Sequence, residues 1–339
     1  MRDAAVVVSG LRKSYGKLQA VRDVGFTVGH GEVVAILGPN GAGKSTTLEI
    51  LAGFRRRDGG TARVLGLDPG ERSSAAELRE RTGVVLQDIA VEPYLTVRET
   101  IARDAGYYRA PRDVDAVIEM VGLAGQEKRK VRSLSGGQKR RLDLALGLTG
   151  DPELLFLDEP TTGFDPAARR DAWQLVADLR MTGTTILLST HAMDEAQALA
   201  DRVVLLAGGA AVADGPTDTL GGRDGELARI SFVLPAGCRP ADLPLPADLP
   251  LPADLPLPAD LPLPADLPLP TAPDAAAAGA AVTVETADPT ADLHRLTGWA
   301  LDRGISLGGL TVGRPSLEEV YLRLTSNGAP AGVPERISR

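Results

Sequence analysis

Short apolar runs open the chain: Val6-Val7-Val8, Phe26-Thr27-Val28 and Val33-Val34-Ala35-Ile36, each bounded by turn residues. Runs of this length and β-branched content predict strands. The third leads into Gly38-Pro39-Asn40-Gly41-Ala42-Gly43, and beyond it Leu48, Ile50 and Leu51 mark the apolar face of a helix. Residues 89–150 keep a helical period broken at Pro93 and Pro111, which predicts a helical insert. From 153 to 206 the buried-type strands Leu154–Leu157, Thr185–Ser189 and Val203–Leu206 alternate with helical stretches. That alternation predicts an α/β fold, a largely parallel sheet with helices packed against it.

The pattern changes after Gly225. Residues 241–270 are five tandem copies of Ala-Asp-Leu-Pro-Leu-Pro. Dense proline removes backbone donors and fixes φ, so a disordered, polyproline-II-like stretch over 237–279 is expected. A repeat expanded within a tolerant loop explains it better than a docking peptide, since leucine and proline alone do not define a ligand. Around it, Leu227–Leu234, Ala281–Glu285 and Ile305–Val312 read as strands, and Pro289–Asp302 and Pro315–Leu324 as helices. The expected organisation is a first domain at 5–222, a small α+β domain at 226–326 interrupted by the proline-rich stretch, and a frayed tail at 327–339.

Composition narrows the functional classes. The 339 residues are 43% hydrophobic and 24% charged, with a formal net charge of −8. An acidic balance argues against a nucleic-acid binder working by bulk electrostatics, so no nucleic-acid partner is expected. Cys238 is the single cysteine, has no neighbouring ligands for a metal, and fits a reducing cytoplasm. Met1-Arg2-Asp3-Ala4 leads into a strand-like run and not into the apolar core of a signal peptide. No run approaches the roughly 18 apolar residues of a membrane span, so a transport role would need another polypeptide for the pore.

Chemistry enters at Gly38-Pro39-Asn40-Gly41-Ala42-Gly43-Lys44-Ser45, which fits GxxxxGK[ST] in the required setting of strand, loop and helix. The glycines let the backbone wrap phosphates, with amides from Gly41 to Thr46 and the positive helix end facing the anion. Lys44 is read as the charge on the β- and γ-phosphates, and Ser45 as a hydroxyl ligand for Mg²⁺. Leu154-Leu155-Phe156-Leu157-Asp158 reads as a central buried strand delivering Asp158 to the carboxyl edge of the sheet, there to hold Mg²⁺ through water. Glu159 follows, placed to polarise an attacking water as general base.

Leu134-Ser135-Gly136-Gly137-Gln138 matches the signature sequence of the ATP-binding-cassette (ABC) ATPases, and residues 5 to about 220 resemble that family. The resemblance implies a P-loop cassette with a mainly parallel sheet, antiparallel N-terminal strands and a helical insert, binding ATP with Mg²⁺ and working as a homodimer or paired cassette. It implies that Ser135, Gly136, Gly137 and Gln138 contact the nucleotide held by the partner subunit. It also implies that Tyr15 stacks on adenine, that Gln87 touches Mg²⁺ and the attacking water, and that His191 contacts the γ-phosphate. Asp165, in Thr161-Thr162-Gly163-Phe164-Asp165-Pro166, falls in the implied dimer-contact loop. Phe164 departs from the commoner leucine, and Gly59-Gly60 stands where the family usually has a proline nearby.

The ending Arg314-Pro315-Ser316-Leu317-Glu318-Glu319-Val320-Tyr321-Leu322-Arg323-Leu324-Thr325 resembles that of export ATPases of the drug- and antibiotic-resistance branch, as do Val64–Pro69 and Arg141–Pro166. The expected protein is the ATP-hydrolysing subunit of an exporter, on the cytoplasmic face of the cell membrane beneath a separate permease subunit. The rival reading is a soluble ABC ATPase acting on ribosomes or nucleic acid. Such proteins usually carry two cassettes, a long coiled coil or basic extensions, whereas this chain has one P-loop, one signature and an acidic balance. An importer ATPase would differ mainly in the C-terminal domain.

Overall fold

Two long strands, β1 (Ala4–Tyr15) and β2 (Leu18–Gly29), form an antiparallel hairpin whose inward residues Val6, Val8, Leu11, Phe26 and Val28 are buried. The structure, a computed structural model, describes residues 4–86, 91–220, 227–235, 238, 243–244, 281–313 and 317–326. Strand β3 (Val33–Leu37) is buried at every position and leads through the glycine loop into α1 (Lys44–Leu51). Strand β4 (Gly59–Val64) then returns to pair with β1, completing an antiparallel sheet of order β2-β1-β4.

Helix α2 (Ala75–Arg81) runs directly into β5 (Thr82–Val85). Helices α3 (Val97–Ala105) and α4 (Val114–Met120), a 3-10 turn at Val131–Ser133 and α5 (Gly136–Leu148) make the helical insert. The expected helical stretch at 89–150 begins later than its periodicity implied. Thr96 caps α3 in a reciprocal capping box with Glu99, and Thr96 bridges Lys130. After the insert come β6 (Leu154–Asp158), α6 (Pro166–Met181), β7 (Thr185–Thr190), α7 (Met193–Leu199), β8 (Arg202–Ala207) and β9 (Ala210–Pro216).

Strands β5, β6, β7, β3 and β8 lie parallel in that order, and β9 closes the edge antiparallel to β8. Strands β6 and β7 are also buried at every residue. A strand covered on both faces has no polar side to alternate with, which is why these runs are continuously apolar. Helix α1 shares one core with both sheets: Leu48, Ile50 and Leu51 pack with Val8, Leu11, Ile36, Phe156 and Val204.

The chain divides into two compact units between residues 221 and 222. The second contains β10 (Ala228–Val233), β11 (Ala281–Thr286), α8 (Pro289–Asp302) and β12 (Gly308–Gly313), with sheet order β11-β10-β12. Helix α9 (Leu317–Ser326) crosses the second division, between 319 and 320. The strand read at Ile305–Val312 starts only at Gly308, while Ile305 and Leu307 pack against the core.

Most of the stretch expected to be disordered, 237–279, lies outside the described residues, as does the tail at 327–339. Two described residues in it depart from that expectation. Leu243, in the first repeat copy, is 8% exposed in a core with Ile230, Phe232, Val284, Leu296 and Trp299. Cys238 packs against the same core, its amide donating to the Pro235 carbonyl at 3.2 Å. A leucine recurring every six residues offers a small core a large apolar side chain, so burial of one copy outweighs the local cost of ordering it.

Candidate functional site

Three adjacent parallel strands, β6, β7 and β3, end at one edge of the sheet and deliver the sequence-predicted groups there. The loop after β3 needs glycine at two places for different reasons. A Cβ on Gly38 would lie 2.4 Å from the Leu206 carbonyl oxygen, so no side chain fits. Gly43, at φ 97°, caps α1 in a left-handed conformation, and a Cβ there would lie 2.4 Å from the Ala20 carbonyl oxygen. Within this loop Pro39, Asn40 and Gly41 are exposed, Ala42 is buried, and Ser45 and Thr46 are half-buried at the start of α1.

Lys44 is 4% exposed, and its ammonium donates to the carbonyls of Gly38 at 2.9 Å and Pro39 at 3.1 Å. It also lies 3.4 Å from Glu159 Oε1. Ser45 Oγ donates to Asp158 Oδ1 at 3.1 Å, and Ser189 Oγ donates to the same oxygen. Hydroxyl and carboxylate thus converge at the helix start, hard oxygen donors of the kind that Mg²⁺ takes alongside substrate phosphates and water. Among the described residues no group of three or more His, Cys, Asp or Glu could hold a metal ion. One hydroxyl and one carboxylate fit a metal whose other ligands come from substrate and solvent.

Glu159 has a backbone φ of 47°, in the left-handed region, and its amide donates to Ser189 O at 3.1 Å and Oγ at 3.2 Å. Its carboxylate accepts from Thr162 Oγ1 at 3.1 Å and lies 3.3 Å from His191 Nδ1. Burial pushes the Glu159 carboxyl up, but the His191 hydrogen bond, the Lys44 and His191 charges and the Thr162 hydroxyl together outweigh it, leaving the group below its ordinary value. It is therefore an ionised acceptor at neutral pH. His191 itself is 47% exposed.

Other predicted residues lie apart from this cluster. The Tyr15 ring is 39% exposed, with the Arg55 guanidinium 5.3 Å and the Lys13 ammonium 5.6 Å from its centre. Ser135 caps α5: its hydroxyl accepts from the Gln138 amide at 3.2 Å, and Gln138 Oε1 accepts from the Ser135 amide at 3.0 Å. Ser135 and Gly136 are exposed, and Gly137 and Gln138 half-buried. Asp165 caps α6, accepting from the amides of Ala167 and Ala168, each at 2.9 Å. Gln87 lies outside the described residues.

One residue that the motifs do not single out connects these parts. Arg140, one turn into α5, is 8% exposed and donates to carbonyls at Leu86, Asp158, Glu159 and Pro160. On the insert, α3 and residues 107–109 form one wall of a groove of about 1130 Å³ whose other wall includes Phe54 and α2. Phe54 and Tyr107 are 63% and 75% exposed at its rim.

Residues 21–162 match the ABC transporter family, and residues 250–316 match the C-terminal domain of ABC transporter domain-containing protein-like sequences. The chain is 40% identical over 235 residues to the doxorubicin resistance ATP-binding protein of Mycobacterium tuberculosis, covering 66% of this chain and 69% of that protein. It is 43% identical over 225 residues to the Nod factor export ATP-binding protein I of Bradyrhizobium diazoefficiens, covering 65% and 73%. Among solved structures it resembles a dimeric ATP-binding cassette in a post-hydrolysis state bound to ADP and Pi, with a TM-score of 0.58 and 25% identity over 62% of this chain and 98% of that one. The cbiO1 subunit from Clostridium perfringens matches with a TM-score of 0.58 at 28% identity, covering 64% and 90%.

Proposed function

The chain belongs to the ATP-binding proteins of the ABC transporter family, in its drug-resistance export branch, and from that membership we propose that it powers export of a small, drug-like molecule through a separate membrane subunit. One observation carries the chemistry: Ser45 meets Asp158 at 3.1 Å while Lys44 stands 3.4 Å from Glu159, so phosphate-binding, metal-binding and base groups share one sheet edge.

The residues take the following parts. The loop amides from Gly41 to Thr46 wrap the phosphates of ATP, and Lys44, already among carbonyl and carboxylate oxygens, transfers its donors to the β- and γ-phosphates. Asp158 and Ser45, with Gln87, would hold Mg²⁺, which would supply charge neutralisation on the phosphate oxygens. Glu159, ionised and fixed through its backbone, accepts a proton from the attacking water. His191, hydrogen-bonded to Glu159, orients that carboxylate and reaches the γ-phosphate from its exposed side. Gln87 orients the water, and Tyr15 stacks on the base.

Ser135 and Gly136 are exposed at a helix start with Gly137 half-buried beside them, which supports a role in reading a nucleotide held by a second cassette. No helix among the described residues is long and apolar enough to cross a membrane, in keeping with a peripheral subunit that borrows its pore. The membrane protein is proposed to insert a cytoplasmic helix against the insert. There Tyr94 is 64% exposed with Arg132 stacked 5.4 Å from its ring, and Phe54 and Tyr107 rim the groove. The relatives are named for doxorubicin resistance and for Nod factor export, which supports export of a drug-like cargo. Cysteines placed at Tyr94 and Tyr107 are expected to crosslink to a membrane protein in native membranes. Labelling confined to positions in the second unit would contradict the reading.

A further inference from the structure

Arg140 lies in the run Lys139-Arg140-Arg141, where its neighbours are exposed or half-buried and it alone is buried. Burying a guanidinium is costly unless its donors are met. Here they are met by main-chain oxygens: Nη1 donates to Leu86 at 2.7 Å, Nη2 to Asp158 at 2.8 Å and Glu159 at 3.0 Å, and Nε to Pro160 at 3.2 Å. Among the described residues the nearest carboxylate, Asp143, is 3.9 Å away. Structural economy alone would pair a buried Arg with a carboxylate. This one is spent on the backbone under the proposed metal-holding Asp158 and the proposed base Glu159, and on the residue just before Gln87.

The backbone geometry depends on that arrangement. Successive carbonyls of an extended strand point to opposite sides. At Glu159 the left-handed φ of 47° turns the carbonyls of residues 158, 159 and 160 towards one guanidinium. A non-glycine residue keeps that conformation only where its surroundings over-determine it. The Glu159 amide is fixed from one side by Ser189 and its carbonyl from the other by Arg140. We infer that Arg140 is a positioning residue for hydrolysis: it ties helix α5, whose exposed start carries Ser135, to the ends of β5 and β6, and thereby aims the Glu159 carboxylate.

A lysine cannot substitute, because one ammonium does not span four separate carbonyl acceptors as a planar fork does. Methionine fills comparable volume with no donor. The inference rests on the proposed role of Glu159, and the experiment separates the two. Phosphate release from ATP with Mg²⁺ is measured for the full chain and for Arg140→Lys, Arg140→Met, Glu159→Gln and the Glu159→Gln/Arg140→Lys pair. Both Arg140 variants are expected to lose about 10- to 100-fold in kcat, with KM and equilibrium ATP binding within about twofold. In the pair, the loss is expected to be no greater than in Glu159→Gln alone, because Arg140 acts through that carboxylate. Wild-type kcat in Arg140→Lys would overturn the inference, as would losses that multiply in the pair. A collapse of melting temperature and ATP binding in both Arg140 variants would assign the residue to the fold and overturn it too. Wild-type turnover in Glu159→Gln would overturn the functional reading beneath it.

Discussion

Asp143 stands three residues beyond Arg140 on α5, buried, with the guanidinium 3.9 Å away. Burial raises its pKa to about 6 from the ordinary 3.8, and the Arg140 charge opposes this only in part. A carboxyl whose folded value lies above its unfolded one binds more protons in the folded state. Its contribution to stability is complete below the unfolded value and is lost as pH rises through about 6. Asp143→Asn, which cannot ionise, should therefore raise the melting temperature relative to the parent at about pH 8, with the gap shrinking towards about pH 5. A constant gap across that range would place the effect in packing and not in charge. At this scale the convergence of the glycine loop, Asp158 and Glu159 at one sheet edge was legible, because a strand-loop-helix spacing and an apolar strand ending in a carboxylate fix where those residues fall. Arg140 was not, since three adjacent basic residues on a helix look like a solvated face. Only tertiary placement shows that the middle one is buried.

Among the elements, β3, β6 and β7 announced themselves as continuous apolar runs because both their faces are covered. Strand β4 was missed. It opens with Gly59-Gly60, which looks like a turn, but a Cβ on Gly60 would lie 2.2 Å from the Gly10 carbonyl oxygen. Glycine is there for close strand approach, a long-range requirement without a local signature. The repeat shows the converse. Proline density argues against regular ladders, yet it says nothing of one leucine finding a core. Leu243 is buried among Ile230, Phe232, Leu296 and Trp299, a contribution of about 1.5–3 kcal/mol. Shortening the loop returns under about 1 kcal/mol, because closure entropy varies slowly with length. Deleting residues 241–270 should thus lower the stability of the second unit, whereas deleting 247–270, which spares the first copy, should leave it near the parent. Phosphate release should survive both deletions, since the P-loop and its core belong to the first unit. Equal melting curves for the two deletions would remove Leu243 from the account, and loss of hydrolysis in the shorter deletion would give the repeat a catalytic role.

For the molecule as a whole, the proposal divides the labour between one cassette's P-loop and another's signature. Within one chain these surfaces make no hydrogen bond to each other among the described residues. Ser135 caps its own helix, while Lys44 donates to the loop after β3 and Ser45 to the end of β6. The sequence could place both motifs but not their separation, because distance between elements is set by packing of the insert and not by local pattern. The most direct measurement is size-exclusion chromatography of Glu159→Gln and Lys44→Ala with and without ATP and Mg²⁺, alongside phosphate release. Glu159→Gln keeps the phosphate-binding groups but loses the base, at a cost of about 10²- to 10⁴-fold in turnover. It is expected to accumulate as an ATP-dependent dimer. Lys44→Ala should neither bind ATP tightly nor dimerise. A Glu159→Gln protein that hydrolyses ATP at the parent rate, or that stays monomeric with ATP bound, would contradict the account.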